Sequence, residues 1–300
     1  MGGKLESRFR VFGQACHLVI KPEAIAPEDI LHIAQQEFRR IEHRFDSFDQ
    51  TSVIGNINGR AGSGEVTALD AESRSLFQYA QVLWEQSHHL YDPTAYNLQR
   101  LYSDGRATGR SNSVLRSELA RTGWMKFEVS NEGALLQEAD MFLNLNSCVR
   151  PYAVDCVKRL LIKSGITNAL IDLDRDVATI GKQPDGANWL IGTRYPSGSR
   201  TAIERFKLNN KAYALRGDFE KCLTIEGERF GRALSPVDGL PIPGLLGVAV
   251  TAESCLTACS AASIARLKTE DSALKWLSTL GLPWLAIDRD LNCHGPLARS

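Results

Sequence analysis

Four short segments of the chain carry residues whose types and spacing suit a binding site, for a phosphate or a ligand hydroxyl among others. Over residues 143–155, LNLNSCVRPYAVD, an alternating strand-like run breaks into a polar turn and opens a helix. The first amides of a helix lack internal partners and attract anions; Arg150 adds a fixed positive charge, and Pro151 suits a first helical turn, where its missing N–H is not needed. A phosphate is the ligand such a turn fits, and a plain strand-to-helix connection with a solvated arginine is the alternative. Tyr91-Asp92-Pro93-Thr94 follows a helix, and its Asp-Pro step disfavours more helix while setting a carboxylate beside a hydroxyl. An Asx-type turn explains the same residues. Leu215-Arg216-Gly217-Asp218 ends a strand, with Gly217 allowing close backbone approach and Asp218 able to accept from a ligand hydroxyl. In ACSAAS, residues 258–263, Cys259 and Ser263 stand four apart on one helical face among small side chains, so another element or a ligand can pack closely. Cys255 and Cys259 share that spacing, but a thiolate metal site needs a second pair of ligands that the sequence lacks, so they read as packed thiols. His88 and His89 read as polar residues at a helix end.

The elements that must hold these segments follow from hydrophobic periodicity. Residues 11–20 read as a strand, and from Pro27 the residues Ile30, Ile33, Ala34, Phe38, Ile41 and Phe45 recur at helical spacing with one buried face. NINGRAGSGE, residues 56–65, lacks the Lys-Ser/Thr ending of a phosphate-binding loop and reads as a flexible connection. Asp70 is placed to cap a helix that carries Leu76, Phe77, Ala80, Leu83 and Trp84 inward and ends near Ser87. A polar basic stretch at 103–117 reads as a surface excursion, and strands fit 124–129, 134–138 and 141–145. An amphipathic helix follows at 153–163, then strands at 169–173, 189–193, 211–215, 223–225, 246–251 and 284–287. Two helices separate the last pair of strands, one over 256–267 and one opened by Thr269. This order predicts an α+β (mixed α/β) globule of mixed sheets with packed helices.

Composition bounds the function. Thirty-five basic and 35 acidic side chains cancel, so no global field draws the protein to nucleic acid or to an anionic membrane. The start of the chain is polar and charged without an apolar export core, Glu6 stands where a myristoylation signal needs Ser or Thr, and no run of apolar residues is long enough to span a bilayer. Seven scattered cysteines without a CxxC pair fit reduced thiols, several of them buried as small apolar residues. A cytoplasmic protein that neither enters membranes nor binds nucleic acid is the expectation.

Taken in order and with their spacing, several motifs resemble the FAD:protein FMN transferase, or ApbE, family over residues 11–290. Ile41-Glu42 through Asp49 and Ser52 to Asn58 look like the early IE..lS.fd..S....N signature, and SHHLYDPT at 87–94 looks like SGGaFDPT. LNLNSCVRPYAVD corresponds to LDLGGIAKGYAVD, ALIDLDRD at 169–176 to ALVNLGGD, and ALRGDF at 214–219 to ATSGDY. RALSPVDG at 232–239 corresponds to HIIDPRTG, and 250–263 to VTA followed by ADALAT.

The resemblance implies an ApbE-like fold over 1–300 as a single domain of two intertwined lobes. It implies FAD as substrate, Mg²⁺ on the pyrophosphate, and transfer of FMN to a Thr or Ser hydroxyl of an acceptor flavoprotein with release of AMP. It assigns cofactor contacts to Asp92, Thr94, Arg150, Tyr152, Asp155, Asp174, Gly217 and Asp218, metal positions to Val149, Cys259 and Ser263, and the catalytic histidine position to Arg232. Several of these positions depart from the family pattern. The metal-binding Asp becomes Cys259, whose thiol matches Mg²⁺ poorly, and the family His becomes Arg232, which is no general base at neutral pH. The paired glycines become Asn146 and Ser147, GGD becomes Asp174-Arg175-Asp176, and Thr-Ser before Gly-Asp becomes Leu215-Arg216. Two functions follow from the resemblance: a transferase, or a catalytically silent paralogue that binds a flavin or adenine nucleotide or a protein partner, with Arg150, Arg175, Arg216 and Arg232 supplying permanent charge in place of a metal.

Overall fold

A computed structural model describes residues 5–21, 27–103, 113–194, 202–217, 223–225, 228–231 and 233–298. The chain opens with the hairpin β1 (Leu5–Val11) and β2 (Gln14–Ile20), turned by Phe12 and Gly13 at φ of 53° and 68°. The strand expected at 11–20 is the second arm of this pair. Two residues of positive φ make the primed turn that matches strand twist, and a phenylalanine in that position leaves no sequence signal.

Five helices follow in the described residues: α1 (Pro27–Phe45), α2 (Val53–Gly59), α3 (Ala71–Gln86), α4 (Tyr96–Ser103) and α5 (Ser113–Ala120). α1 buries Ile30, Ala34, Phe38, Ile41 and Phe45 as its spacing predicts, while Ile33 is 44% exposed. α2 takes the first part of the expected flexible loop. Ser52 Oγ caps it by accepting from Gly55 N at 2.8 Å, and Gly55 lets it close on the Asp49 carbonyl, 2.0 Å from where a Cβ would stand. Asp70 caps α3 as expected, its Oδ1 accepting from Ser73 N at 3.0 Å. Of the expected surface excursion, residues 104–112 lie outside the described residues; α4 and α5 flank them.

A 3-10 turn (Trp124–Lys126) leads into the short hairpin β3 (Phe127–Val129) and β4 (Ala134–Leu136). Residues 141–145 join no ladder, against expectation. The side chain of Asn58 replaces a neighbouring strand there: Nδ2 donates to the Leu143 carbonyl at 3.0 Å and Oδ1 accepts from Leu143 N at 2.8 Å. Next come α6 (Asn146–Lys163), β5 (Ala169–Leu173), β6 (Asp176–Ile180), β7 (Trp189–Arg194), β8 (Ala202–Leu208), β9 (Ala212–Gly217), β10 (Leu223–Ile225) and β11 (Glu228–Phe230). β12 (Gly247–Ala252), α7 (Cys255–Arg266), α8 (Glu270–Thr279), β13 (Trp284–Ile287) and β14 (Cys293–His294) complete the order.

The main sheet runs β1-β2-β5-β6-β9-β12-β13-β14, and every ladder in it is antiparallel. Helices α1, α6, α7 and α8 cover one face, contributing Phe38, Val157, Ala258 and Leu277 to its core. The β7–β8 hairpin covers the other through Trp189, Phe206 and Leu208, which pack with Val177, Tyr213 and Leu215. Strands covered on both faces need no alternation of polar and apolar residues, so β6, with all five residues buried, escapes a search for alternation. The result is an α+β architecture whose central strands end beneath the first turns of α6 and α7.

Candidate functional site

Helix α6 begins at Asn146, seven residues before the amphipathic stretch 153–163, so Pro151 sits in its second turn rather than its first. A proline there has no N–H for the carbonyl four residues earlier, which is that of Ser147. That carbonyl accepts instead from the Cys259 thiol on α7 at 3.4 Å. Cys259 Sγ also lies 3.8 Å from Ser263 Oγ, one turn along the same helix. Burial pushes the Cys259 thiol up to about 11 against the pull of Arg216, so it is a neutral thiol at physiological pH.

Asp176, at the start of β6, is the centre of charge. Its side chain is 0% exposed, and Arg216 from β9 closes on it: Nη2 donates to Oδ2 at 2.9 Å and lies 2.7 Å from Oδ1. Both oxygens face one nitrogen, so Oδ1 has the ion pair but no aligned hydrogen bond. The same Nη2 is 2.6 Å from Cys259 Sγ, and Nη1 donates to the Leu215 carbonyl at 3.2 Å. Burial is the largest single influence on Arg216 and works against its charge, but the attraction and hydrogen bond of Asp176, together with the neighbouring sulfurs of Cys259 and Cys255, raise its pKa overall. Arg150 from α6 adds a second guanidinium, with Nη2 3.3 Å from Asp174 Oδ2 and 3.7 Å from Asp176 Oδ2. Its Nε is buried without a hydrogen-bond partner. Asp174 and Arg175 form the β5–β6 turn at φ of 47° and 77°.

The Tyr91–Thr94 turn lies beside this cluster. Asp92 Oδ1 accepts from Thr94 N at 2.8 Å and from Thr94 Oγ1 at 2.6 Å, as in an Asx-type turn, and Oδ2 accepts from Trp124 N at 2.9 Å. Burial raises the Asp92 pKa, against these three donors. Thr94 Oγ1 in turn accepts from Gly123 N at 2.8 Å. The Tyr91 hydroxyl meets Ser147 Oγ at 2.7 Å and Cys148 Sγ at 2.9 Å, tying the turn to the start of α6.

The remaining sequence-derived positions divide. Asp155 holds the start of α7, its two oxygens accepting from Cys255 N at 2.8 Å and Leu256 N at 2.9 Å. Burial raises its pKa, opposed by these two amides. The Tyr152 hydroxyl donates to Glu72 at 2.8 Å, on the side of α6 that faces α1 and α3. Val149 is fully buried in the core, and it is the Ser147 carbonyl that meets Cys259. Gly217 ends β9 opposite Gly247. Asp218 and Arg232 lie outside the described residues. The structure therefore brings together Arg150, Asp174, Cys259 and Ser263, and sets beside them Ser147 and Asp176 from the matched motifs and Arg216, which the sequence offers as a charge in place of a metal. Asp176 carries two sequence signals: it is a lone carboxylate opening an otherwise apolar run, and it ends the segment that corresponds to the family's GGD.

This donor set does not fit Mg²⁺. A hard cation asks for several oxygen ligands in a near-octahedral shell, whereas here a neutral thiol, one hydroxyl and one carbonyl adjoin a guanidinium. Among the described residues no group of three His, Cys, Asp or Glu side chains is placed to hold a metal. Two guanidinium groups stand against the buried Asp176 and the more exposed Asp174, and a planar fork of N–H donors matches phosphate oxygens. Among the described residues no helix is long and apolar enough to cross a membrane.

Comparison with known proteins agrees with the motif order. The FAD:protein FMN transferase of Haemophilus influenzae is 27% identical over 246 residues, covering 78% of this chain and 71% of that protein. The Klebsiella pneumoniae protein of the same name is 25% identical over 183 residues, and the match spans only about half of its length, 52%. Among solved structures, the ApbE protein of Thermotoga maritima superposes with a TM-score of 0.85 at 22% identity, over 99% of this chain and 100% of that one. The flavin transferase ApbE of Vibrio cholerae gives 0.84 at 18% identity, over 99% and 98%. Identities this low establish the shared fold. The profile of the ApbE family matches residues 12–285, nearly the whole chain, and the chain belongs to that family.

Proposed function

We propose that the protein binds FAD where α6, α7, β6 and β9 converge, and that its reaction class is transfer of FMN from FAD to a Ser or Thr hydroxyl of an acceptor flavoprotein. The observation that carries this reading is convergence: segments 143–155, 169–176, 214–217 and 258–263, far apart in the chain, meet through the contacts of Ser147, Asp176, Arg216 and Cys259. The curated relatives bear the name FAD:protein FMN transferase.

In this reading Arg150 and Arg216 face the pyrophosphate and offset its charge, as fixed cations do wherever phosphoryl groups are held. The Asp92–Thr94 turn, with its carboxylate engaged by three donors, sets the wall formed by Tyr91 and Ser147. Asp155 acts at one remove by fixing the first turn of α7 and so the position of Cys259 and Ser263. The resemblance implies magnesium for the family reaction, and the donors of this site do not fit it.

A second reading, nucleotide binding without transfer, is favoured by one contact, the Arg216 guanidinium against both Asp176 and Cys259. One experiment separates the two. The purified protein is incubated with FAD and an acceptor flavoprotein domain, with and without Mg²⁺, and AMP release and covalent flavin on the acceptor are followed. Both products support transfer. FAD binding without either supports the second reading, and absence of binding to FAD, FMN and AMP overturns both.

A further inference from the structure

Resting on the reading that this site takes FAD, we propose that Arg216 is a built-in replacement for a divalent cation, so that the site binds a nucleotide diphosphate without metal. The guanidinium is not a surface group resting near an acid. It stands 2.6 Å from Cys259 and within 2.9 Å of both oxygens of Asp176, a carboxylate with no exposed surface. A cation brought into this space meets that permanent positive charge first, and the Cys259 sulfur beside it is a soft donor that matches a hard cation poorly. An anion meets the opposite situation. Arg150 and Arg216 share Asp176, Asp174 is half-exposed at the rim, and Arg150 Nε is buried with no hydrogen-bond partner. Phosphate oxygens supply the acceptors that this arrangement lacks, and arginine delivers paired N–H donors in the plane they need.

The Ser147 carbonyl completes the argument. Pro151 frees it from the helix ladder, and the Cys259 S–H donates to it at 3.4 Å. The charge and the thiol thus act in the same direction: the guanidinium repels a cation, and the thiol occupies the carbonyl lone pair that the proline leaves open.

Calorimetric titration with ADP as the diphosphate probe, and with FAD, tests this in EDTA and in excess MgCl₂. The expected result is an ADP affinity that changes by less than about twofold between the two buffers. The double variant Arg216→Met with Asp176→Asn removes the cation together with its partner, leaving no lone buried charge, and is expected to weaken ADP by about tenfold or more. Its circular dichroism and thermal midpoint check that it is folded. A second variant, Arg216→Ser with Cys259→Asp, rebuilds an acidic pair with Asp176 and is expected to make ADP binding depend on Mg²⁺. Wild-type binding that needs Mg²⁺ and disappears in EDTA overturns the inference and leaves the FAD reading intact. Unchanged ADP affinity in the folded double variant also overturns it. Failure of ADP and FAD to bind in either buffer overturns the FAD reading and the inference with it.

Discussion

Arg216 and Asp176 form a pair with much at stake, because Asp176 has no exposed surface through which to reach water once Arg216 is gone. Arg216→Met alone leaves Asp176 buried and uncompensated, and is expected to cost about 3–5 kcal/mol of folding stability. Adding Asp176→Asn should recover most of that loss, since the double change removes both charges. Urea denaturation of the two single variants and the double variant measures this; a simple sum of the single losses would show that the pair is not coupled. In sequence, Arg216 is one arginine at a strand end and Asp176 one acid opening an apolar strand. Their pairing across β6 and β9 follows from register, in which Asp176 stands beside Ala214.

At the scale of elements, local chemistry decides more. Asp70 caps α3, and its pKa is pulled down to about 2 first by the Ser73 amide and further by contact with Arg44. A carboxylate with a depressed folded pKa contributes stability that is present above its ordinary value of 3.8 and lost as pH falls toward about 2. Asp70→Asn keeps a capping oxygen but removes the titration, so the wild-type advantage over it should shrink through that acid window in pH-resolved urea melts. Asp70→Ala removes the cap at every pH and should cost about 1 kcal/mol. The β5–β6 turn makes the converse prediction. Arg175 holds φ of 77°, a backbone region that costs a side chain roughly 1–2 kcal/mol, so Arg175→Gly should stabilise the fold by about 1 kcal/mol in thermal or urea unfolding. The chain accepts that cost between β5 and the strand that carries Asp176.

Over the whole molecule, stability depends on covering both faces of one antiparallel sheet. The helical face is signalled by the apolar spacing in α1 and α6, whereas the second face depends on a hairpin far smaller than the helices opposite. The buried ring of Phe206 in that hairpin packs tilted at 51° against that of Tyr213, 4.9 Å between centroids. Phe206→Ala is therefore expected to cost about 3–5 kcal/mol in urea unfolding and to speed amide exchange in β9 and β12 ahead of α1 and α3. Equal exchange throughout would show that the hairpin is not what protects the second face.

The division between sequence and structure follows the range of the forces involved. Helices with a 3.6-residue apolar repeat, the Asp70 cap, the apolar β12 and β13, and the ordered motifs of the family are written in neighbouring residues, and each is legible there. What the sequence could not disclose is set by contacts across long separations. α6 begins earlier than its amphipathic stretch because the polar turn before it is helical and accommodates Pro151; 141–145 joins no ladder because Asn58 satisfies its backbone; β6 lacks alternation because it is buried on both sides. The candidate site was half visible. Arg150, Cys259, Ser263 and Asp92 stood out by type and spacing, but only the tertiary structure put Arg216 against Cys259 and Asp176, making a guanidinium rather than a cluster of oxygens the charge at the centre. That outcome depends on the antiparallel register of β6 and β9 beneath α7, which no local preference encodes.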